Sequence, residues 1–402
     1  MKIARSTRRF LGVMTVAATV LLAFSLCATS AAYAQTKSLV YVNSNNFADG
    51  QNSVQGFSID ASGNLTALPG SPYMTSGTGV GPGNMTDAQW DSDQEVIVNK
   101  AKTLLFAVNG HTNTIAVFNI NADGSLTPVA GSPFPSGGQD PASLGLKDNA
   151  FGPGVSLLTV VNKNSDPLQS GGVPNYATFS VSASGTLTQI GTPLDMPAGS
   201  SPAQAMVRID KAVQFIAVEF MNNTVTSYKY NSAGVLSMVS QSIPPVTNPT
   251  PLGGVLHPKL KVAYVALPIE RQVAVYKFDG PGNLTWVGSV ANQGVAVCWL
   301  AINAAGTKLY AAETPSSTIT VYDTTHPGTP TQIQRFTVSG TAGQPAHMHL
   351  DPSGQFLYVV DRLGVLHVLN VDASGMLSET HATTNLNLPV GTVPLGVAVL
   401  QK

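Results

Sequence analysis

The sequence predicts an all-β fold, a seven-bladed β-propeller with four antiparallel strands in each blade. Three observations support this: a strand pattern that occurs seven times, a polar-x-x-Gly turn after five of the copies, and chain ends that complement each other. The repeated pattern is a stretch of alternating apolar residues that ends in a large apolar or aromatic residue. These end residues are Phe57, Phe118, Phe179, Tyr228, Tyr276, Tyr322 and Leu369. The intervals, by subtraction, are 61, 61, 49, 48, 46 and 47 residues. Repeats of about 40–50 residues made of short strands are typical of propeller blades.

The first 34 residues are predicted to be a secretory signal peptide that is not part of the fold. A basic head with Lys2 and three arginines precedes an apolar run over residues 10–26, and Ala32-Tyr33-Ala34 has the small-x-small form of a cleavage site. The adjacent arginines leave two export routes open, the Sec route and the twin-arginine route. The mature chain, residues 35–402, is expected to be a single propeller domain with no membrane span, in the periplasm or secreted.

The last blade shows the predicted strands most clearly. Its first three strands are expected at Ala346–Leu350, Phe356–Val360 and Val365–Val371, and a fourth follows the turn Asp372–Gly375. Such turns form readily because Asp bonds to its own backbone and Gly tolerates positive φ.

The two ends of the chain are predicted to close the ring. The chain starts with the second-strand pattern Leu39–Val42 and ends with the first-strand pattern Pro394–Val399. If the C-terminal strand pairs in the N-terminal blade, no open sheet edge remains between the ends. Two insertions, Gly77–Gly83 followed by an acidic stretch and Lys147–Pro174, are predicted to be loops available for recognition.

Charge and cysteine content exclude several classes of protein. The mature chain keeps 20 − 4 = 16 basic residues against 21 acidic ones, a net charge of −5. It has four arginines and no basic patch for a phosphate backbone, which excludes nucleic acid as a partner. Cys298 is the single cysteine that remains, so no internal disulfide is possible. We expect a monomer without a cofactor.

The residue that ends the second strand is polar in most blades. This column comprises Ser44, Asn109, Asn162, Glu219, Glu313 and Asp361, with Leu267 as the exception. It predicts a polar ring at one mouth of the central channel, joined by Arg208, Arg271 and Arg362. Carboxylates and guanidinium groups that converge there could bind a sugar acid and supply a general base. The alternative is that each polar residue only caps a turn.

Two histidines and an acidic stretch are further candidates. His347 and His349 alternate along one strand and therefore share a face, for which lining of the channel is predicted. An x-His-x-His pair could begin a metal site, but spacing identifies no third ligand, and no metal is expected. Asp91, Asp93 and Glu95 form either a calcium-binding loop or, as we expect, a solvated acidic loop.

The last two blades resemble those of a known family. The segments Gly306–Tyr322 and Asp351–Arg362 are similar to blades of the seven-bladed lactonase family, which includes propeller-type 6-phosphogluconolactonase and the fungal carboxymuconate lactonising enzymes. The resemblance implies the propeller fold for the mature chain and lactone hydrolysis as the activity. It places the acidic site residue at Glu313 and the arginine at Arg362. Cys298-Trp299 stands where the family has an Arg-His pair.

Three functions remain open from the sequence. The first is metal-independent hydrolysis of a sugar-acid or muconate-type lactone, with Glu313 as general base and Arg362 and Arg208 holding the carboxylate or the oxyanion. The expected substrate contacts are Glu219, Asp361, Asn109, Asn162, His347, His349 and Arg271. The second function is a non-catalytic module that binds an unidentified envelope protein through the two insertions. The third is a metal-dependent lactonase that uses Glu219, Glu313 and Asp361 as ligands.

Overall fold

The computed structural model describes residues 37–60, 62–81, 92–150, 152–210, 212–340 and 343–402. The predicted signal peptide lies outside the described residues. So do Gly83 and Asp91 of the first insertion.

Seven antiparallel sheets form the ring, and we number them as blades I to VII. Blade I contains β1 Ser38–Asn43, β2 Ser53–Ile59, β3 Leu65–Ala67 and β4 Tyr73–Met74. Blade II contains β5 Val96–Val98, β6 Leu104–Asn109, β7 Thr114–Ile120, β8 Leu126–Pro128 and β9 Phe134–Pro135. Blade III contains β10 Pro141–Lys147, β11 Ser156–Asn162, β12 Asn175–Val181, β13 Leu187–Gln189 and β14 Leu194–Asp195. Blade IV contains β15 Pro202–Val207, β16 Gln214–Glu219, β17 Thr224–Tyr230 and β18 Leu236–Ser242.

The remaining three blades follow the same plan. Blade V contains β19 Gly254–Leu256, β20 Val262–Leu267, β21 Gln272–Phe278 and β22 Leu284–Ala291. Blade VI contains β23 Val297–Ile302, β24 Lys308–Glu313, β25 Thr318–Asp323 and β26 Thr331–Thr337. Blade VII contains β27 Pro345–Leu350, β28 Phe356–Asp361, β29 Val365–Val371, β30 Leu377–Ser378 and β31 Thr384–Asn385. The last strand of the chain, β32 Leu395–Gln401, returns to blade I.

Each blade has four main strands, which run in sequence order from the axis outwards in blades II to VII, while in blade I the order is β32, β1, β2 and β3; this confirms the predicted fold class. In four blades an extra two-residue strand pairs with the third strand. The only helical element among the described residues is a short 3-10 turn, Thr314–Ser316. Within the described part of the chain, the search for a helix of membrane-spanning length and hydropathy found none.

The ring closes as the chain ends predict. Strand β32 pairs antiparallel with β1, from Ser38 opposite Gln401 to Val42 opposite Val397. It thereby becomes the innermost strand of blade I. On either side it packs against β27 of blade VII and β5 of blade II. No gap is therefore left between the first and last blades.

Buried tyrosines join neighbouring blades. Tyr41, Tyr264 and Tyr310 lie in second strands and are fully buried. Each hydroxyl donates to a backbone carbonyl in the turn between the third and fourth strands of the next blade, as in Tyr41 to Gly124 at 2.7 Å and Tyr310 to Gly375 at 3.0 Å. An aromatic side chain with one polar end suits this position because its ring packs between sheets while its hydroxyl reaches the rim.

One sequence prediction about the insertions is wrong. The Lys147–Pro174 segment is not a single loop, because Ser156–Asn162 forms the second strand of blade III. This run is apolar and bonds to β10 on one side and β12 on the other. The connection without regular structure is therefore confined to residues 148–155 and 163–174.

Candidate functional site

The predicted polar column does lie at one level of the ring. The strand register sets Asn162, Glu219, Glu313 and Asp361 opposite the first residue of the innermost strand of their blades. Their side chains are nevertheless buried, with an exposed fraction of 2% or less.

Glu313 is enclosed by donors. Its carboxylate accepts hydrogen bonds from Asn292 Nδ2 at 2.8 Å and from the hydroxyls of Thr318 and Thr320, and Arg335 Nε lies 2.9 Å from Oε2. All these partners belong to blades V and VI, and Arg362 is not among them. Both carboxylate oxygens are thus already occupied, by an ion pair with Arg335 within blade VI and by hydrogen bonds that include one from Asn292 after the last strand of blade V. The role of Glu313 as general base stays a prediction, and this geometry does not favour it.

Glu219 has a different environment. Its Oε1 accepts a hydrogen bond from the Tyr176 hydroxyl of the preceding blade at 2.6 Å, and Oε2 has no partner. Burial raises the pKa of Glu219 to about 7, although the Tyr176 hydrogen bond and the Lys163 charge act in the opposite direction. The carboxylate lies between blades III and IV.

The other members of the column also bond within or between blades. Asn109 accepts from Asn52 and Thr75 of blade I, and Asn162 donates to Asn175. Asp361 accepts the backbone N–H groups of Leu363 and Val365 at 2.9 Å, which caps the turn after β28. These are the contacts expected of the turn-capping alternative. Substrate binding by these residues stays a prediction.

The two other predicted arginines have different surroundings, and Arg208 lies away from the axial level of the column. Arg208 follows the carboxyl end of β15, whereas Glu219 pairs at the start of that strand, about 20 Å away at ~3.3 Å per residue. Its guanidinium is buried, pairs with Asp210 at 2.5 Å and stacks on Phe278. Arg271 is exposed on the turn between β20 and β21. The expectation that Arg208 joins Arg362 is therefore wrong, because the strand separates them by its full length.

The axis of the ring is crossed by the segment Ser92–Glu95, which we call the axial segment. Trp299 Nε1 of blade VI donates to the Ser92 carbonyl at 2.8 Å. Gln204 Nε2 of blade IV donates to Gln94 Oε1 at 3.0 Å, and the Leu144 N–H of blade III donates to the Gln94 carbonyl at 3.1 Å. Contacts to blades on opposite sides of a ring are possible only near its centre.

The axial segment carries two carboxylates to a histidine of blade VII. His347 Nδ1 lies 3.5 Å from Asp93 Oδ1 and 3.4 Å from Glu95 Oε2. Glu95 is fully buried, and neither of its carboxylate oxygens accepts a hydrogen bond. Burial raises the pKa of Glu95 to about 7, with His347 and Lys163 opposing this and Asp93 adding to it. The expectation of a solvated acidic loop is therefore wrong for Glu95, because the segment turns into the channel.

An aromatic residue and an arginine complete this cluster. The Arg362 guanidinium carbon lies 5.1 Å from the centre of the Trp299 ring, and the His347 ring lies 5.2 Å from that ring. Two of the predicted site residues, His347 and Arg362, are thus brought together around Trp299. His349 is exposed to solvent but has many protein atoms around its ring. The resulting desolvation lowers its pKa, while the negative charge of Asp93 acts in the opposite direction.

One concave space borders the cluster at Glu95, and a second is lined by Lys163, whose charge acts on Glu95. A cavity of about 20 Å³ is lined by Glu95, Asn45, Gly110 and Asp140, which is room for about one water molecule. A wider depression of about 180 Å³ is lined by Lys163 together with residues of the 163–174 connection and of the loop before β15.

Sequence reasoning missed Glu95, Gln94, Gln204, Lys163 and Trp299 as members of one site. Glu95 was visible as part of an acidic stretch. Its partner His347 is 252 residues further along the chain, so spacing could not join them. Trp299 carried the clearer signal, because it stands in a position where the family has a functional pair.

Comparison with known proteins supports the family resemblance seen in the last two blades. Residues 223–394 match the family model described as lactonase, 7-bladed beta-propeller. The predicted family resemblance is confirmed. The matched region contains Trp299, His347 and Arg362, whereas Asp93 and Glu95 lie before it. No curated protein sequence matches the chain.

Solved structures share the propeller. A Lactobacillus plantarum protein is 18% identical with a TM-score of 0.70, covering 91% of this chain and 99% of its own. A putative 6-phosphogluconolactonase from Bacteroides fragilis is 14% identical with a TM-score of 0.70, covering 91% and 98%. The periplasmic gluconolactonase of Pseudomonas aeruginosa is 16% identical with a TM-score of 0.67, covering 89% and 99%. At these identities the likeness concerns the fold alone.

Proposed function

We propose that this chain is an exported lactonase that hydrolyses a sugar-acid or muconate-type lactone at the axial cluster. The family match over residues 223–394 supports lactone chemistry. The fold likeness to a protein described as a periplasmic gluconolactonase and the predicted signal peptide support export. Fold alone does not define a function, so the proposal depends on the site.

The observation that carries it is the meeting of Arg362, Trp299 and His347 with Asp93 and Glu95 at the axis. Hydrolysis of a lactone needs a group that takes a proton from water and a positive charge near the carbonyl oxygen. The carboxylate–imidazole group provides the first. The guanidinium provides the second and also suits a carboxylate or phosphate on the substrate, because its five donors match such anions.

The reaction follows from these parts. Water attacks the lactone carbonyl and passes a proton to the axial carboxylate–imidazole group, while negative charge on the carbonyl oxygen is stabilised by Arg362. The ring C–O ester bond then breaks, and the leaving alkoxide takes up the proton that the axial group received from water. The product is an open-chain hydroxy acid. The Trp299 ring holds the guanidinium in place through a cation–π contact, which restricts it before substrate arrives.

The test is a pH-stat assay of untagged mature protein against a panel of lactones, with and without a carboxylate or phosphate group. We expect Arg362→Ala to lower kcat/KM by about 100-fold or more, the size seen when an oxyanion donor is removed. Arg271→Ala is the matched control, because Arg271 is exposed on the corresponding turn of blade V. We expect it to leave the rate unchanged.

Two results would reject the proposal. One is the absence of any rate above buffer across the panel with folded protein. The other is an equal loss for Arg362→Ala and Arg271→Ala, which would place the chemistry elsewhere. Glu313→Gln separates the two possible bases: if it abolishes turnover while the fold and its unfolding midpoint are kept, the base is Glu313 and not the axial group.

A further inference from the structure

The Glu95 carboxylate has no hydrogen-bond partner. It is fully buried, and neither Oε1 nor Oε2 accepts a hydrogen bond from the protein. Buried carboxylates are normally paired, hydrogen-bonded or coordinated to a metal, since removal of an unpaired charge from water is costly. Oε1 of Glu95 therefore has no partner, and Oε2 has only the longer ion-pair contact to His347, so the carboxylate has less compensation than such a group usually has.

The distances around Glu95 fit metal ligands better than hydrogen bonds. His347 Nδ1 is 3.4 Å from Glu95 Oε2 and 3.5 Å from Asp93 Oδ1. A charged imidazole–carboxylate hydrogen bond would bring these atoms to about 2.7–2.9 Å. Two ligands that each lie about 2.1 Å from one tetrahedral ion are instead about 3.4 Å apart. The ligand atoms of all three residues lie within 4.8 Å of one another.

We propose that Asp93, Glu95 and His347 bind one divalent transition-metal ion of the Mn²⁺ or Zn²⁺ type. Two carboxylate oxygens and one imidazole nitrogen suit these ions, whereas Ca²⁺ and Mg²⁺ prefer oxygen alone. Three protein ligands leave a coordination position open, as in catalytic sites. A cavity of about 20 Å³ borders Glu95 and has room for about one water molecule.

The surrounding contacts hold the ligands in place without the ion. Trp299 Nε1 donates to the Ser92 carbonyl, directly before Asp93, and Gln204 bonds to the Gln94 side chain between the two acidic ligands. The axial segment is therefore fixed on both sides of Asp93. Partners that orient ligands in this way raise metal affinity.

Two positively charged side chains near the site disfavour the binding of a metal ion. Lys163 lies close enough to lower the pKa of Glu95, and Arg362 stacks on Trp299 next to His347. The buried carboxyl group of Asp140 offsets part of this charge, because it also lies near Lys163 and lines the cavity. We therefore expect one ion and not a pair. This site differs from the metal-dependent alternative with Glu219, Glu313 and Asp361, which form no ligand cluster among the described residues.

A bound ion would occupy the imidazole nitrogen and carboxylate oxygens that take the proton in the proposed hydrolysis, so binding is tested separately from activity. The test uses untagged mature protein, stripped with a chelator, and isothermal titration with Mn²⁺, Zn²⁺ and Ca²⁺ separately. We expect one Mn²⁺ or Zn²⁺ per chain with micromolar or tighter affinity, and weaker binding of Ca²⁺. Electron paramagnetic resonance of bound Mn²⁺ gives a second readout of the same site.

Variants locate the ion. We expect His347→Ala and Asp93→Asn each to weaken binding by at least about 10–100-fold, the loss already seen for residues that only orient ligands. His326→Ala, in a turn of blade VI, is the matched control and should bind as the parent does. Asp93→Asn keeps the test valid if His347→Ala, at a buried position, prevents folding. Unchanged parental affinity in the Asp93→Asn and His347→Ala variants, tightest binding of Ca²⁺, or no saturable binding of Mn²⁺ or Zn²⁺ would each overturn the proposal.

Discussion

The buried histidine of blade VII should make the stability of this protein depend on pH in a defined direction. His367 is almost fully buried, with Nδ1 2.7 Å from Glu379 Oε1 and Nε2 3.5 Å from Asp361 Oδ2. Burial alone would lower its pKa. The hydrogen bonds and charges of the two carboxylates outweigh burial and raise the pKa to about 9.

The magnitude follows from the difference between the two states. The folded pKa is about 9 and the unfolded value is 6.5, and at 1.36 kcal/mol per pKa unit this gives about 3 kcal/mol. A raised pKa means that the folded state binds the proton more tightly. The contribution is therefore complete below pH 6.5 and is lost as the pH rises through 9.

The assay is urea unfolding, followed by circular dichroism, at intervals from pH 6 to pH 10. The free energy of unfolding of the parent should fall by about 3 kcal/mol more than that of His367→Gln across this range, since the variant has no imidazole to titrate. His326→Gln is the control for removal of a histidine that is not buried in an ion pair. Parallel curves for the parent and His367→Gln would refute the reasoning, as would a parent that gains stability on passing from pH 7 to pH 9.

Three further predictions follow from the fold and the sequence. Tyr176→Phe should lower the free energy of unfolding by about 2 kcal/mol, because it leaves the Glu219 carboxylate without its hydrogen-bond donor. Tyr310→Phe, which removes a hydrogen bond to a neutral carbonyl, should lower it by about 1 kcal/mol. Thermal melts of both variants would show this order. Deletion of residues 395–402 should abolish the cooperative thermal transition, because β1 loses its inner partner; a deletion variant with the parent melting curve would contradict the closure argument. In a bacterial host the mature chain should begin just after Ala34, which N-terminal sequencing of the periplasmic or medium fraction would test.

The repeated pattern was sufficient to predict the blades because strand and turn signals are local. Alternating apolar residues, polar-x-x-Gly turns and the strand pattern at each chain end can each be recognised from a few neighbouring residues. The structure confirms these predictions, including the pairing of β1 with β32. The level of the polar column was also predictable, because strand register follows from strand length. These properties need only the order of residues along the chain.

The direction of each side chain was decided by the packing of the blades. Glu313 and Glu219 end their strands at the predicted level, but their side chains lie in contacts between blades and not around the axis. The axial site instead joins Glu95 and His347, which no local pattern connects. The physical reason is that ring closure places β32 of blade I between blades VII and II, so that the axial segment before blade II reaches the histidine of blade VII at the centre of the ring. The sequence thus determined the sheets and their order, and only the closed ring decided which acidic groups meet a histidine at its centre.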